Sequence, residues 1–313
     1  MAEDAFWWVG DTFWWIGVYA VFLWSYDCWL ESLLCIIWGS LRSLVLREKL
    51  PEKYGPWAVV TGSTAGIGKS YAERLAKKGF NIVLVSRSES KLISVAAEIE
   101  QKYAVETKWI AVDFTDGPEI YDYLRERLNS FDIGVLVNNV GVLPSLSSFD
   151  RNNESEILEL VRVNILATTM LSRIVLPGMK ARRRGAIVNI ASGGGYFPIP
   201  YMSGYSASKS FVINFSLALN YELKGTGVEC QVASPCITQT NLSARFNDII
   251  PWYALVLTSD TMAKSGVYMI GKTTHTSGHW LHCLQILWWA FLPRSFTVSL
   301  IGFLFARRVD KSD

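Results

Sequence analysis

Trp57-Ala-Val-Val-Thr61-Gly62-Ser-Thr-Ala-Gly66-Ile-Gly68 passes from an apolar run into a glycine-rich turn, and its reading decides the fold. The residues up to Thr61 have the length and character of a short buried strand. A helical pattern follows over about 67–78 and stops at Gly79. Strand, glycine turn and helix in that order is the setting a dinucleotide site requires. Gly62 allows the tight turn. Gly66 and Gly68 let backbone and helix approach a ligand, and the helix N-terminus faces its phosphates. A plain glycine-rich loop is the alternative, and the flanking strand and helix weigh against it.

Outward from this stretch the chain alternates. Asn81 to Ser86 reads as the second strand. It ends in Ser86-Arg87, not in an acidic residue that would bond a ribose hydroxyl and repel a 2′-phosphate, so NADP(H) is favoured. A solvated helix-start residue is the other reading of Arg87. Glu89 to Tyr103 reads as helix and Thr107 to Val112 as strand, with Asp113 at its end, placed to meet an adenine. Pro118 opens a helix. Ile133 to Val137 is a strand running into Asn138-Asn139-Val140-Gly141. Glu154 to Val175 is a long helix containing Asn164. Ala186 to Ala191 is a strand ending at Ser192, and Gly193-Gly-Gly195 reads as a mobile loop. A helix holding Tyr205 runs to about Lys224, and Val228 to Ala233 is the sixth strand. The expected fold is α/β: a Rossmann-type doubly wound parallel sheet in a single domain over 51–285, with functional residues at the strand C-terminal ends. Pro51 to Pro56 reads as a linker and Gly278 to Leu284 as a last strand. Phe246 to Leu257 and Ser259 to Gly271 are expected to carry part of a substrate pocket.

Tyr205-Ser-Ala-Ser-Lys209 holds the chemistry. Its tyrosine and lysine stand four apart in a helix, so they project from one face a turn apart. A free tyrosine, with a pKa of about 10, is a poor proton donor near neutrality. An ammonium group nearby lowers that value and makes the phenol a usable acid–base group.

The 313-residue chain carries a formal net charge of +2, which implies no polyelectrolyte partner and no nucleic acid. Half the residues are apolar, but unevenly. Seven of the 13 tryptophans lie in the first 38 residues. Residues 1–50 are read as a hydrophobic membrane-anchoring segment. A tilted helix over 5–26 or an interfacial hairpin over 5–46 would accommodate it, with tryptophans at headgroup level. A soluble oligomerisation helix or buried cap is the alternative. Glu3 and Asp4 stand where a signal peptide would be basic, which speaks against cleavage. Arg42, Arg47, Lys49 and Lys53 follow the run and place the main domain on the cytosolic side. Residues 286–313 form an apolar C-terminal extension with a basic end, either a second membrane contact or a buried element. Five cysteines form no C-x-x-C pair and are read as reduced; no metal spacing is present.

Taken together, Thr61-Gly-x-x-x-Gly66-Ile-Gly68, Asp113, Asn138-Asn-Val-Gly141, Asn164, Ser192, Tyr205-x-x-x-Lys209 and Pro235 resemble the short-chain dehydrogenase/reductase family in kind and order. The likeness covers about 56–285. Val135-Leu-Val-Asn-Asn-Val-Gly141, Leu176-Pro-Gly-Met179 and Ala111-Val-Asp-Phe114 narrow it to the membrane-bound branch of 17β-hydroxysteroid dehydrogenases, very-long-chain 3-oxoacyl-CoA reductases and hydroxysteroid dehydrogenase-like proteins. The resemblance implies that Tyr205 protonates a carbonyl oxygen, Lys209 bonds the nicotinamide ribose and depresses the Tyr205 pKa, Ser192 orients the carbonyl, and Asn164 holds a relay water. It implies NADP(H) contacts from Gly62, Ser63, Gly66, Ile67, Gly68, Arg87, Asp113, Asn139, Tyr205, Lys209, Pro235 and Thr240.

The chain departs from the wider family at Val140, at Ala191 and at Cys236, where glycine is usual. Some hydroxysteroid dehydrogenase-like relatives have lost the tyrosine and are regarded as inactive; this chain retains Tyr205. The expected partners are a lipophilic small-molecule substrate (steroid or acyl-CoA), a membrane, and a second copy as a homodimer. Lys180 and Arg182-Arg-Arg184 are a candidate patch for CoA phosphates, against a solvated helix end. A catalytically inactive NADP-binding scaffold is the rival function. The endoplasmic reticulum membrane is the expected location, with mitochondria as the alternative.

Overall fold

The computed structural model describes residues 12, 14–19, 49–246 and 256–309. The expected membrane segment over 1–50 lies almost wholly outside them, as does most of the apolar stretch 246–257. Residues 14–19 are helical, with Trp14, Trp15 and Tyr19 exposed.

The main body is a seven-stranded parallel sheet in the order β3-β2-β1-β4-β5-β6-β9. Its strands are β1 (Trp57–Thr61), β2 (Asn81–Ser86), β3 (Thr107–Ala111), β4 (Ile133–Asn138), β5 (Gly185–Ile190), β6 (Val228–Ala233) and β9 (His275–Thr276). A side ribbon pairs β7 (Thr238–Gln239) with β8 (Leu257–Thr258). The central strands are apolar throughout because helices cover both faces. Side-chain alternation divides each strand between two cores. Ala58 and Val60, Ile82 and Leu84, and Ala186 and Val188 point to one face, while Val59, Val83, Val85 and Ile187 point to the other. The first face is covered by the helices Gly66–Ala76 (α2), Glu89–Tyr103 (α3) and Ser259–Met269 (α8). The second is covered by Ile120–Leu128 (α4), Ala167–Arg182 (α6) and Ser203–Glu222 (α7). Order reverses between β1 and β4, which opens a crevice at their C-terminal ends.

Several sequence expectations need correction. Pro51 to Pro56 is not a linker. Leu50–Tyr54 (α1) is a short helix with Pro51 in its first turn, and it buries Leu50 and Tyr54. The Tyr54 hydroxyl donates to Glu229 Oε2 at 2.7 Å, which ties the start of the domain to β6. The last strand is His275–Thr276; Trp280–Phe291 (α9) is helical where a strand was expected. α8 packs on α2, so closely that a Cβ on Gly266 would meet the Tyr71 hydroxyl. Asn164 sits in a π turn, Val161–Leu166, between Glu154–Leu160 (α5) and α6. The 29-residue run Glu154–Arg182 is long and apolar enough to cross a membrane. Here it is a core helix, with Val163, Ala167, Leu171, Val175 and Met179 buried on the sheet.

His282 begins the C-terminal layer and is fully buried. Burial brings its pKa down to about 4 against the opposing pull of backbone groups at Ser277 and Ile237. Burial does the same to His275. Between pH 6.5 and 4 the unfolded chain binds protons at these rings that the folded chain does not, so stability is full above that window and falls as pH drops through it. One such ring is worth on the order of 2–4 kcal/mol once fully protonated in the unfolded state. We expect urea midpoints to fall between pH 7 and pH 4.5, and to fall less steeply in His282→Leu.

Candidate active site

The glycine turn after β1 is held by its neighbours across the crevice. Gly62 and Gly66 have φ of +62° and +55°, a region side chains disfavour. The Thr61 hydroxyl accepts from the backbone N–H groups of Asn139 and Val140 at 2.9 and 3.0 Å. Asn139 Nδ2 donates to Thr61 O at 3.0 Å. Asn139 therefore braces the turn. Ser63 is buried and reaches Val85 O, and Ile67 packs on the core. The Thr240 methyl lies 3.2 Å from where a Cβ of Gly66 would stand, so the segment after β6 closes over the turn. α2 begins without a side-chain cap and with no acidic residue in its first turn. A helix start without a side-chain cap leaves its first N–H groups for a ligand, as an anion site needs.

A cleft of about 470 Å³ runs from this crevice along the ends of β2, β3 and β4. Ser86, Arg87 and Asp113 line one end, and Gly141, Val142, Glu156 and Glu159 line the other. Arg87 is exposed at the end of β2, with no acid beside it in sequence. Asp113 Oδ1 accepts from the Thr115 N–H and hydroxyl at 2.9 and 2.8 Å, which fixes the floor of that end.

Ser192, Tyr205, Lys209 and Asn164 converge at the ends of β4 and β5. The Ser192 hydroxyl accepts from Gly194 N at 3.1 Å and caps a 3-10 turn, Gly193–Gly195. The three glycines serve close approach. A Cβ on Gly195 would stand 2.8 Å from the Lys209 carbonyl carbon, and one on Gly193 would stand 2.9 Å from Cys236 Sγ. This segment is thus a packed turn and not the loop expected for mobility. Gly193 N also donates to Pro235 O at 2.8 Å, which joins the β5 and β6 ends.

Lys209 is buried, and its Nζ donates to Ile190 O at 3.1 Å. Burial lowers its pKa to about 8. Nζ lies 5.9 Å from the Tyr205 ring centroid. Burial raises the Tyr205 pKa above its ordinary value, and a hydrogen bond with Ser192 pulls the other way. Asn164 is clamped: Oδ1 accepts from Val142 N at 2.8 Å, and Nδ2 donates to Val142 O and Ser208 Oγ at 3.1 Å each. A single point, the Cβ position of Gly141, is 3.3 Å from Lys209 Nζ and 3.4 Å from Asn164 Oδ1. The four side chains thus form one connected cluster.

The basic run lies elsewhere. Arg182 and Arg184 both pair with Asp132 at 2.6 Å, and Arg183 donates to Gly225 O at 3.0 Å. Asp132 precedes β4, so these groups sit at the far end of the sheet from the cluster and serve structure.

Sequence reasoning did not find the second-rank residues of the site. Ser208, Val142 and the Ile190 carbonyl hold Asn164 and Lys209, yet none carries a chemical signature. Cys236 and Tyr196 meet α9 through a small apolar cluster with Cys283 and Ile286. Only the apolar character of α9 hinted at that contact.

Residues 56–249 match the family model described as short chain dehydrogenase. The chain is 42% identical over 248 residues to the inactive hydroxysteroid dehydrogenase-like protein 1 of Homo sapiens, covering 79% of this chain and 75% of that protein. It is 42% identical over 270 residues to the very-long-chain 3-oxoacyl-CoA reductase of Bos taurus, covering 85% and 83%. Among solved structures, the short-chain dehydrogenase from Sphingobium yanoikuyae in complex with NADPH aligns with a TM-score of 0.64 at 33% identity, over 68% of this chain and 84% of that one.

Proposed function

The chain belongs to the short-chain dehydrogenase family, and on that premise we propose that it is an NADPH-dependent oxidoreductase that interconverts a ketone and a secondary alcohol on a lipophilic substrate. The observation that carries this reading is the connected cluster of Ser192, Tyr205, Lys209 and Asn164 beside a glycine turn and a helix start without a side-chain cap. The turn and the start of α2 would hold the diphosphate. Gly62, Ser63, Gly66, Ile67, Gly68, Asn139 and Thr240 shape that cradle, Asp113 the adenine end, and Arg87 the 2′-phosphate. Pro235 ties the β6 end to the turn beside Ser192. NADPH, when bound, supplies the hydride.

The remaining chemistry falls to the chain. Ser192 donates a hydrogen bond to the substrate carbonyl and orients it. Tyr205 gives its proton to the carbonyl oxygen. Burial keeps the phenol protonated at neutral pH, which suits an acid in the reducing direction. Lys209, with a pKa of about 8, exchanges protons near neutrality and replenishes Tyr205. Asn164 positions the β4 end and a water beside Lys209.

Steroids and long-chain 3-oxoacyl-CoA esters are the two substrate classes. An uncharged ketone is favoured, because Arg182 and Arg184 are committed to Asp132. An apolar N-terminal segment attaching the domain to the cytosolic face of the endoplasmic reticulum would bring it to lipid-soluble substrates. A second reading, an NADP-binding scaffold without turnover, draws on the relative named inactive and on Cys236, which stands after Pro235 where the wider family has glycine. NADPH oxidation by the detergent-held full chain separates the two. The panel is a 17-keto steroid, a long-chain 3-oxoacyl-CoA and an aromatic ketone. We expect turnover on at least one; NADPH binding with turnover on none would favour the scaffold.

A further inference from the structure

Beyond β9 the chain forms two helices, α9 and Arg294–Val309 (α10), bent by 110° at the break between them. Both lie on the loop that leads from Ser192 to Tyr205. α9 buries Cys283 and Ile286 against Tyr196, Phe197 and Cys236. On α10, a Cβ on Gly302 would stand 3.4 Å from Pro200 Cγ.

Among the described residues, none covers the other side of this layer. Trp280, Leu284 and Trp288 recur at four-residue steps, hence along one face of α9. They are 44%, 45% and 70% exposed. Phe296, Phe303 and Leu304 are exposed on α10. Single exposed hydrophobics need no explanation, but an aromatic run of this extent does. Its charges are of one sign: residues 280–309 contain Arg294, Arg307 and Arg308 and no Asp or Glu. Arg307 lies over the Phe303 ring at 4.4 Å, so cation and aromatic share one patch.

We propose that α9 and α10 form a docking face for an anionic phospholipid bilayer, separate from the N-terminal segment, with the loop over 196–200 packed on their inner side. Tryptophan favours the headgroup level, where its ring meets acyl chains and its N–H meets water. Arginines at the edge meet anionic headgroups. A second copy is the poorer partner, since like-charged arginines would come together with no acid in α9 or α10 to pair them.

The test uses the full chain on phosphatidylcholine vesicles, with or without phosphatidylserine, doped with a phospholipid bearing a photoactivated diazirine on its acyl chain. Labelled peptides are mapped by mass spectrometry. The expected result is label on peptides spanning 280–304, increased by phosphatidylserine. It is lost in Trp280→Gln/Leu284→Gln/Trp288→Gln, provided that this variant melts and binds NADPH like the parent. If it does not fold, Trp288→Gln alone, at the most exposed of the three positions, makes the same comparison. Label confined to residues 1–48, or label on 280–304 that is unchanged in the stripe variant, overturns the proposal. Labelling needs no substrate, so its failure is distinct from failure of the reductase reading.

Discussion

Tyr205→Phe lowers the turnover number by about 10²–10⁴-fold, the range of a lost general acid, while NADPH binds as before. Phenylalanine keeps the ring and its place on α7. Only the hydroxyl that hydrogen-bonds with Ser192 is lost. The neighbours that hold the rest of the cluster are independent of that oxygen: Lys209 Nζ on Ile190 O, and Asn164 on Val142 and Ser208. The loss therefore falls on the chemical step, so the turnover number drops while substrate and cofactor affinities change little. The check is steady-state turnover beside an NADPH fluorescence titration. Retained turnover would mean that another group supplies the proton.

Gly68→Ala acts on the cradle. A Cβ at this position would stand 2.3 Å from Gly62 O and 2.4 Å from Asn139 Nδ2. The first of these is backbone, and the second is the amide that braces the turn through Thr61 O. Neither is the free end of a flexible side chain, so α2 must move off the turn. Overpacking of this kind costs about 1–3 kcal/mol. Because the strained contact lies inside the proposed phosphate site, NADPH affinity falls along with the melting temperature. Thermal melts with and without NADPH read both effects. A variant that melts lower but keeps the full NADPH-induced rise would place the cofactor elsewhere.

The alternation of apolar runs and helical patterns made the sheet legible, since a strand covered on both faces is written as a continuous apolar stretch. Strand limits at 57–61, 81–86 and 228–233 follow directly. The two-residue strand at His275 could not be read, because two residues carry no periodicity and its pairing to Val232 and Ala233 is a tertiary fact. α1 was hidden by its proline: Pro51 opens a helix as readily as it marks a linker. The site was readable wherever chemistry demands a residue type, as at Tyr205, Lys209 and Ser192. It was unreadable where packing decides. The glycines at 193–195 suggested mobility and instead permit contact with α7 and Cys236. Arg182 and Arg184 looked free because their partner, Asp132, lies 50 residues away in sequence and adjacent only in the fold.

The most direct test follows one atom. NADPH carrying deuterium at the transferred position is incubated with the purified full chain and whichever ketone of the panel turns over, and the alcohol is examined by mass spectrometry. The account predicts a product heavier by one deuterium, located on the carbinol carbon, formed by the parent chain and nearly absent with Tyr205→Phe. Cofactor that stays bound with its label intact against every ketone would contradict it, and would leave a protein that keeps the cluster without using it.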